Sequence, residues 1–312
     1  MFGKDRERMQ HVTSIKQFTD KKLIKKLFDR AAQFETMPLN QYPKPLQSLT
    51  VASVFFEPST RTRLSFETAI QNLGGQLLTV ENASTSSSDK KGESLEDTIK
   101  TINAYADGIV LRHPEIGSVD RAASVSKVPV ISGGDGGGEH PTQALLELYT
   151  IQKSKGKIDG LKIGIVGDLK HSRSHHSLVT LLSIFNVDLY LIAPKVIALP
   201  AEQLQELKAK GVKHHVLDSW DSVISELDVL YCNRIQKERF KFVEDYQAVK
   251  DKFILKLDNV RKMKKDAIII DPLPRINEID PEVDNDPRAK YFEAVKNGLY
   301  VRMALLDFLF SS

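Results

Sequence analysis

Two rhythms alternate along this chain. Short runs rich in β-branched residues are followed by stretches whose apolar residues recur three and four positions apart. The runs Leu49 to Phe56, Gln76 to Glu81, Gly108 to Arg112 and Val128 to Ser132 are predicted strands. Thr19 to Glu35, Thr60 to Leu73, Ser94 to Ala106 and Val119 to Ser126 carry the helical spacing. After Pro141 a second cycle begins with a predicted helix over Thr142 to Lys153. Strands are then predicted at Leu161 to Gly167, Asp188 to Ala193, Lys213 to Leu217, Asp228 to Cys232 and Ala267 to Asp271. Helices are predicted near Ser174 to Phe185, Pro200 to Lys210, Trp220 to Glu226 and Asp251 to Lys262, and over the apolar Leu299 to Phe310. Strands alternating with helices imply parallel sheets covered by helices, so the fold class is α/β, with two mainly parallel sheets of similar size.

The length of 312 residues exceeds what one core usually supports, which agrees with two domains. A hydrophobic content of 41% with 27% charged residues is ordinary globular composition. The 44 Lys and Arg against 41 Asp and Glu leave a charge of +3, spread along the chain, which argues against nucleic acid as the main partner. No run approaches the roughly 18 apolar residues of a membrane span, and Met1 to His11 is charged, so a cytoplasmic setting without membrane contact is expected. The single cysteine, Cys232, excludes a disulfide framework and a multi-cysteine zinc site within the chain.

The polar residues gather where strands end, the edge at which open α/β sheets place ligands. Ser59-Thr60-Arg61-Thr62-Arg63 lies between a strand and a helix, with Pro58 ending the strand and Ser59 at the N-cap position. A helix start offers unpaired N–H groups and partial positive charge, and two hydroxyls with an arginine fork suit a phosphoryl group. Arg61 and Arg63 diverge by about 200° on a helix, so Arg61, nearer the terminus, is assigned to the ligand. The competing reading is a plain capped helix with both arginines in solvent.

Arg112-His113-Pro114 follows the next strand, and His140-Pro141-Thr142-Gln143 opens a helix. A helix start disfavours imidazolium, so a neutral His140 can donate to a carbonyl oxygen. The glycine-rich Gly133 to Gly138 between the two cycles suits a hinge, a linker or a close backbone approach to a ligand. Gly167-Asp168-Leu169-Lys170-His171-Ser172-Arg173 lacks the spacing of a dinucleotide site, and His171, His175 and His176 show no metal-ligand pattern, so solvated histidines are expected. Asn233-Arg234-Ile235-Gln236-Lys237-Glu238-Arg239 and Asp271-Pro272-Leu273-Pro274-Arg275 follow two further strands, and the second leaves carbonyls free to accept from an amide. The polar Ser84 to Glu93 reads as a loop whose lysines can reach an anion.

Ser-Thr-Arg-Thr-Arg, Arg-His-Pro, His-Pro-Thr-Gln, Gly-Asp-Leu-Lys, Arg-Ile-Gln-Lys-Glu-Arg and Pro-Leu-Pro-Arg stand here in the order and spacing of the aspartate carbamoyltransferase catalytic chains, which this chain resembles over essentially its whole length. Ornithine enzymes share the phosphate motif but carry His-Cys-Leu-Pro and Ser-Met-Gly segments that this chain lacks. A transcarbamylase for another amine such as ornithine is the alternative.

The resemblance implies the transcarbamylase fold, with a carbamoyl phosphate-binding domain over 1–141, onto which helix 292–312 packs back, and an aspartate-binding domain over 142–291. It implies transfer of a carbamoyl group to aspartate, an early step of pyrimidine biosynthesis, without cofactor or metal. Ser59, Thr60, Arg61 and Thr62 would bind the phosphate, and Thr62, Arg112 and His140 the carbonyl oxygen. Gln143 and the carbonyls of Leu273 and Pro274 would hold the carbamoyl amide. Arg173, Arg234, Gln236 and Lys91 would bind aspartate. Ser87 and Lys91 match residues that the family supplies from the neighbouring subunit of a homotrimer, and a separate regulatory chain is a possible partner. Glu57 would pair with Arg173 and Arg239 on domain closure. The family usually has His where this chain has Asp271, and a carboxylate there is expected to be turned from the ligand or paired.

Overall fold

The computed structural model describes residues 9–82 and 92–311. The chain forms two compact units, Met1–Leu146 with Val295–Ser312, and Glu147–Ala294.

The first unit is built on β1 (Thr50–Phe55), β2 (Gln76–Glu81), β3 (Gly108–His113) and β4 (Val130–Asp135). They pair in parallel in the order β2-β1-β3-β4. Central β1 is buried along nearly its whole length, whereas the edge strand β2 alternates between half-buried and exposed positions. The difference is that of a strand covered on both faces against one at a margin. Helices α1 (Lys21–Thr36), α2 (Thr60–Asn72), α3 (Leu95–Ile102), α4 (Ser118–Val125) and the start of α5 (Pro141–Lys155) belong to this unit. On α2 the buried residues are Thr62, Phe66, Ala69 and Ile70, one face of the helix. Leu95, Ile99 and Ile102 of α3 and Val119 and Ala122 of α4 pack with Ala52, Val54, Ile109 and Leu111 into one apolar cluster.

The second unit carries β5 (Lys162–Val166), β6 (Asp188–Ile192), β7 (Lys213–Leu217), β8 (Val229–Cys232) and β9 (Ile268–Ile270), all parallel, in the order β7-β6-β5-β8-β9. Its helices are α6 (Arg173–Leu182), α7 (Ala201–Ala209), α8 (Val243–Gln247) and α9 (Leu257–Lys262). The chain passes between the units inside α5, after Leu146, and again inside α10 (Tyr291–Phe310), after Ala294.

Two predicted helices fail. Residues Trp220 to Glu226 form successive turns, with Ile224 N donating to Trp220 O (2.8 Å) and Glu226 N to Val223 O (2.8 Å). Trp220 and Ile224 reach the core from these turns instead of from a helix. Of Asp251 to Lys262 only the last six residues are helical, because Leu255 is drawn into a parallel bridge with Ile279.

Strand order in each sheet reverses at one place, between β1 and β3 in the first and between β5 and β8 in the second. Loops leaving adjacent strands at such a point diverge and open a crevice at the strands' carboxyl ends, where ligands of α/β sheets bind.

Candidate active site

At the reversal in the first sheet, α2 begins just after β1. Ser59 has an extended backbone (φ −158°, ψ 99°) and its side chain makes no capping hydrogen bond. The reading of Ser59 as an ordinary cap is therefore not what the helix start shows. Arg63 turns along the helix to Glu67 (Nη1 to Oε1 3.3 Å) and to Glu81 on β2 (Nη2 to Oε1 3.1 Å). Ser53 Oγ and Thr79 Oγ1 also donate to Glu67, at 3.0 and 3.3 Å. Arg63 is thus engaged in a network on the flank of the sheet, while Arg61 is exposed in the first turn.

Thr62 and His140 are both buried, and Thr62 Oγ1 lies 3.3 Å from His140 Nε2. His140 immediately precedes α5, and its carbonyl accepts from Gln143 N (3.0 Å) and Ala144 N (3.2 Å). Arg112 leaves the end of β3, where the pairing with β4 is bulged, and its Nη1 donates to the Gly133 carbonyl (3.3 Å). Its Nη2 stands 3.4 Å from Glu57 Oε2, across the β1–β3 reversal. The first unit so gathers Ser59, Thr60, Arg61, Thr62, Arg112, His140 and Gln143 at the mouths of two helices and two strand ends.

Gly133 to Gly138 is not a loose hinge. Gly133 and Gly134 lie in β4, and Asp135 N donates to Glu139 O (3.0 Å) across a tight turn. Gly136 N donates to His113 O (2.8 Å), and Gly138 N to Asp135 O (2.8 Å). At Gly136, with φ +51°, a Cβ would meet Pro114 O at 2.4 Å, so the turn needs glycine there. The Glu139 carboxylate accepts from Ser14 Oγ (3.0 Å) and Ile15 N (2.7 Å), which fixes the residue preceding His140.

Behind these helix starts Arg302 of α10 is buried, with Nη2 3.5 Å from Thr142 Oγ1 and its guanidinium 5.2 Å from the Phe66 ring centroid. Thr142 lies two residues beyond His140 and Phe66 one helical turn beyond Thr62.

In the second unit the reversal lies between β5 and β8, and a buried carboxylate organises it. Asp168 accepts from His171 N (3.1 Å) and from Gln236 N (3.2 Å), tying the loop after β5 to the loop after β8. Ser172 caps α6 by accepting from His175 N (3.3 Å), and Asn233 Nδ2 donates to Ser172 Oγ (2.5 Å). Arg173 and Arg234 each follow one partner of that bond. Gly167 permits the approach, since a Cβ there would meet Asn233 O at 2.1 Å.

Both terminal nitrogens of Arg234 engage Glu238, a pairing whose hydrogen bond raises the arginine's pKa and lowers the acid's. Gln236 is half-buried and Arg239 exposed.

The three histidines are anchors, not solvated groups. His175 is fully buried, its Nδ1 3.1 Å from the Asp168 carbonyl, and burial lowers its pKa to about 3. His176 Nε2 lies 2.9 Å from Leu169 O and is also lowered by burial, while His171 Nδ1 faces Asp168 at 3.0 Å. Each partner lies only three to seven residues earlier, in the loop between β5 and α6, so the contacts depend on that loop folding back on the first turn of the helix, which residue spacing alone does not reveal. Asp168, Ser172, Asn233 and Glu238 likewise have no role in the sequence reading beyond their place in polar runs.

Beyond β9, Asp271 is buried and its Oδ1 accepts from Leu273 N (2.6 Å), the paired state expected for it. Leu273 has φ +55°. Arg275 is held by Asp284 and by Tyr291 Oη (3.2 Å). In β8, Tyr231 Oη donates to buried Glu147 (2.6 Å), and burial, then Glu147, pushes the phenol pKa well up. Burial likewise raises the Cys232 thiol. No group of three or more His, Cys, Asp and Glu among the described residues is placed to hold a metal, and no described helix is long and apolar enough to cross a membrane. Ser87 and Lys91 lie outside the described residues.

Residues 10–153 match the aspartate/ornithine carbamoyltransferase carbamoyl-P binding domain, and residues 159–309 match the Asp/Orn binding domain of the same family. The chain belongs to the aspartate/ornithine carbamoyltransferase family. It is 48% identical over 300 residues to the aspartate carbamoyltransferase catalytic subunit of Methanocaldococcus jannaschii, covering 96% of this chain and 97% of that one. It is 45% identical over 304 residues to the multifunctional protein pyr1-3 of Dictyostelium discoideum, covering 97% of this chain but only 14% of that much longer protein. The structure of Trypanosoma cruzi aspartate transcarbamoylase in complex with carbamoyl phosphate and aspartate superposes with a TM-score of 0.90 at 36% identity, covering 97% of each chain.

Proposed function

We propose that this chain transfers the carbamoyl group of carbamoyl phosphate to the α-amine of L-aspartate, giving N-carbamoyl-L-aspartate and phosphate. The observation that carries the reading is the Thr62–His140 contact, which joins two helix starts beside an uncapped Ser59 and an exposed Arg61. The relatives named above support aspartate, not ornithine, as acceptor.

Ser59, Thr60, Arg61 and Thr62 receive the phosphate, where helix-start N–H groups and a guanidinium stabilise its charge. Arg112, His140 and Thr62 hold the carbonyl oxygen, and Gln143 with the carbonyls of Leu273 and Pro274 holds the carbamoyl amide. Arg173, Arg234 and Gln236 take the aspartate carboxylates. The neutral amine attacks the carbamoyl carbon, and negative charge develops on an oxygen that faces fixed donors. Phosphate then leaves with the amine's proton. Positioning and electrostatics supply the catalysis, and no step requires a metal or an organic cofactor.

Ser87 and Lys91 of a neighbouring copy complete each site in a homotrimer acting in the cytoplasm, and a separate regulatory chain is a possible further partner. The purified chain tests the reading: carbamoyl-aspartate forms from carbamoyl phosphate and aspartate, and citrulline does not form from ornithine. Citrulline formation in preference to carbamoyl-aspartate, or a monomeric native mass with full activity, would sink the corresponding part.

A further inference from the structure

The residue at the end of β9 departs from the family pattern, and its geometry gives it a task. Asp271 is buried, and its Oδ1 takes the N–H of Leu273 at 2.6 Å, two residues on. Leu273 stands at φ +55°, a left-handed conformation that a γ-branched L-residue adopts only when its surroundings hold it there. A buried side-chain oxygen accepting its N–H at 2.6 Å is such a hold, since a bound backbone N–H away from water is costly to release. The Leu273 N–H lies in the peptide before the residue and its carbonyl in the peptide after it, so holding that N–H with φ at +55° constrains the residue from which the Leu273 carbonyl and Pro274 project.

We propose that Asp271 is a positioning residue for recognition of the carbamoyl NH2: it locks Leu273 so that the Leu273 and Pro274 carbonyls are aimed as amide acceptors. The inference rests on the reading that these two carbonyls hold the carbamoyl amide. It adds that in this chain a carboxylate, not the family's usual imidazole, sets their geometry. Asp271 therefore governs which acyl phosphates are accepted, because only a carbamoyl group offers N–H donors to those carbonyls.

Acetyl phosphate isolates this effect, since a methyl group replaces the amide while the phosphate and carbonyl are unchanged. Both ligands are titrated calorimetrically into the full-length protein without aspartate. The unaltered protein binds carbamoyl phosphate on the order of tenfold or more tighter than acetyl phosphate, as expected for neutral hydrogen bonds gained. In Asp271→Ala, and in Asp271→Leu should the alanine variant not fold, that ratio falls to about two or less while acetyl phosphate affinity holds. Asp271→Asn keeps an acceptor oxygen and retains the ratio within about threefold. An unaltered protein that does not distinguish the two phosphates overturns the amide-acceptor reading and the proposal together. An unaltered protein that distinguishes them, with the ratio intact in the alanine or leucine variant or lost in the asparagine variant, overturns the role of Asp271 alone.

Discussion

Asn233 Nδ2 and Ser172 Oγ are 2.5 Å apart, and the residue after each is an arginine. One side-chain bond thus sets the spacing of Arg173, at the start of α6, relative to Arg234, beyond β8. Asn233→Ala removes the donor and leaves both arginines in place but unregistered. The aspartate KM is expected to rise by about tenfold while the carbamoyl phosphate KM holds, in steady-state assays varying one substrate at a time.

Arg61, proposed to bind the phosphate, and Arg63, held by Glu67 and Glu81, are expected to respond differently to substitution. Arg61→Ala should lower kcat by on the order of 100-fold or more with little change in melting temperature, as expected for loss of a preorganised donor. Arg63→Ala, which breaks the contacts to Glu67 and Glu81, should cost about 1 kcal/mol in denaturant unfolding and leave kcat nearly unchanged. The reverse pattern would reassign the phosphate ligand.

Glu238 holds Arg234 through both terminal nitrogens, a pairing that uses only part of the guanidinium's five N–H donors. Glu238→Ala frees a rotamer-rich side chain that aspartate must then order. A several-fold increase in the aspartate KM is expected, whereas a decrease would show that Glu238 competes with the substrate carboxylate.

His175 makes stability depend on pH. Its pKa in the folded protein, about 3, is below the value near 6.5 of an unfolded chain, so the unfolded state binds the extra proton between these limits. The stability it protects is complete above pH 6.5 and is lost as pH falls toward 3, with a slope approaching about 1.4 kcal/mol per pH unit. His175→Leu should flatten the pH dependence of urea-unfolding free energy in this window, and an unchanged slope would refute the assignment.

Gly136→Ala forces a Cβ to within 2.4 Å of Pro114 O at φ +51°. A loss of about 2 kcal/mol or more is expected on thermal unfolding, together with weaker carbamoyl phosphate binding, because the strained turn leads directly to His140.

The strands and the longer helices were legible because each is a periodic apolar segment bounded by Gly, Pro or a capping residue. Thr60–Asn72 and Gln76–Glu81 appear where hydrophobic spacing places them. The helix start at Ser59 and Thr60 was legible too, since a helix start advertises itself locally. What stayed hidden depends on partners distant in sequence. Arg63 was separated from Arg61 by helical geometry, but its engagement with Glu81 required β2 to lie alongside α2. Burial of His175 required its helix to pack on Tyr231, whose ring lies edge-on at 4.9 Å. The glycine run looked like slack because composition reports flexibility, while its function here is to let three backbone segments meet.

Each sheet reverses its strand order once and places its polar residues at that reversal. The residues proposed for the phosphate donor and for the amino acid acceptor therefore sit mostly on separate scaffolds, each with its own core. Substitutions in the loops after β5 and β8 leave the core beneath the Ser59 to Arg63 turn untouched, so the proposed acceptor residues can change without disturbing the proposed phosphate residues.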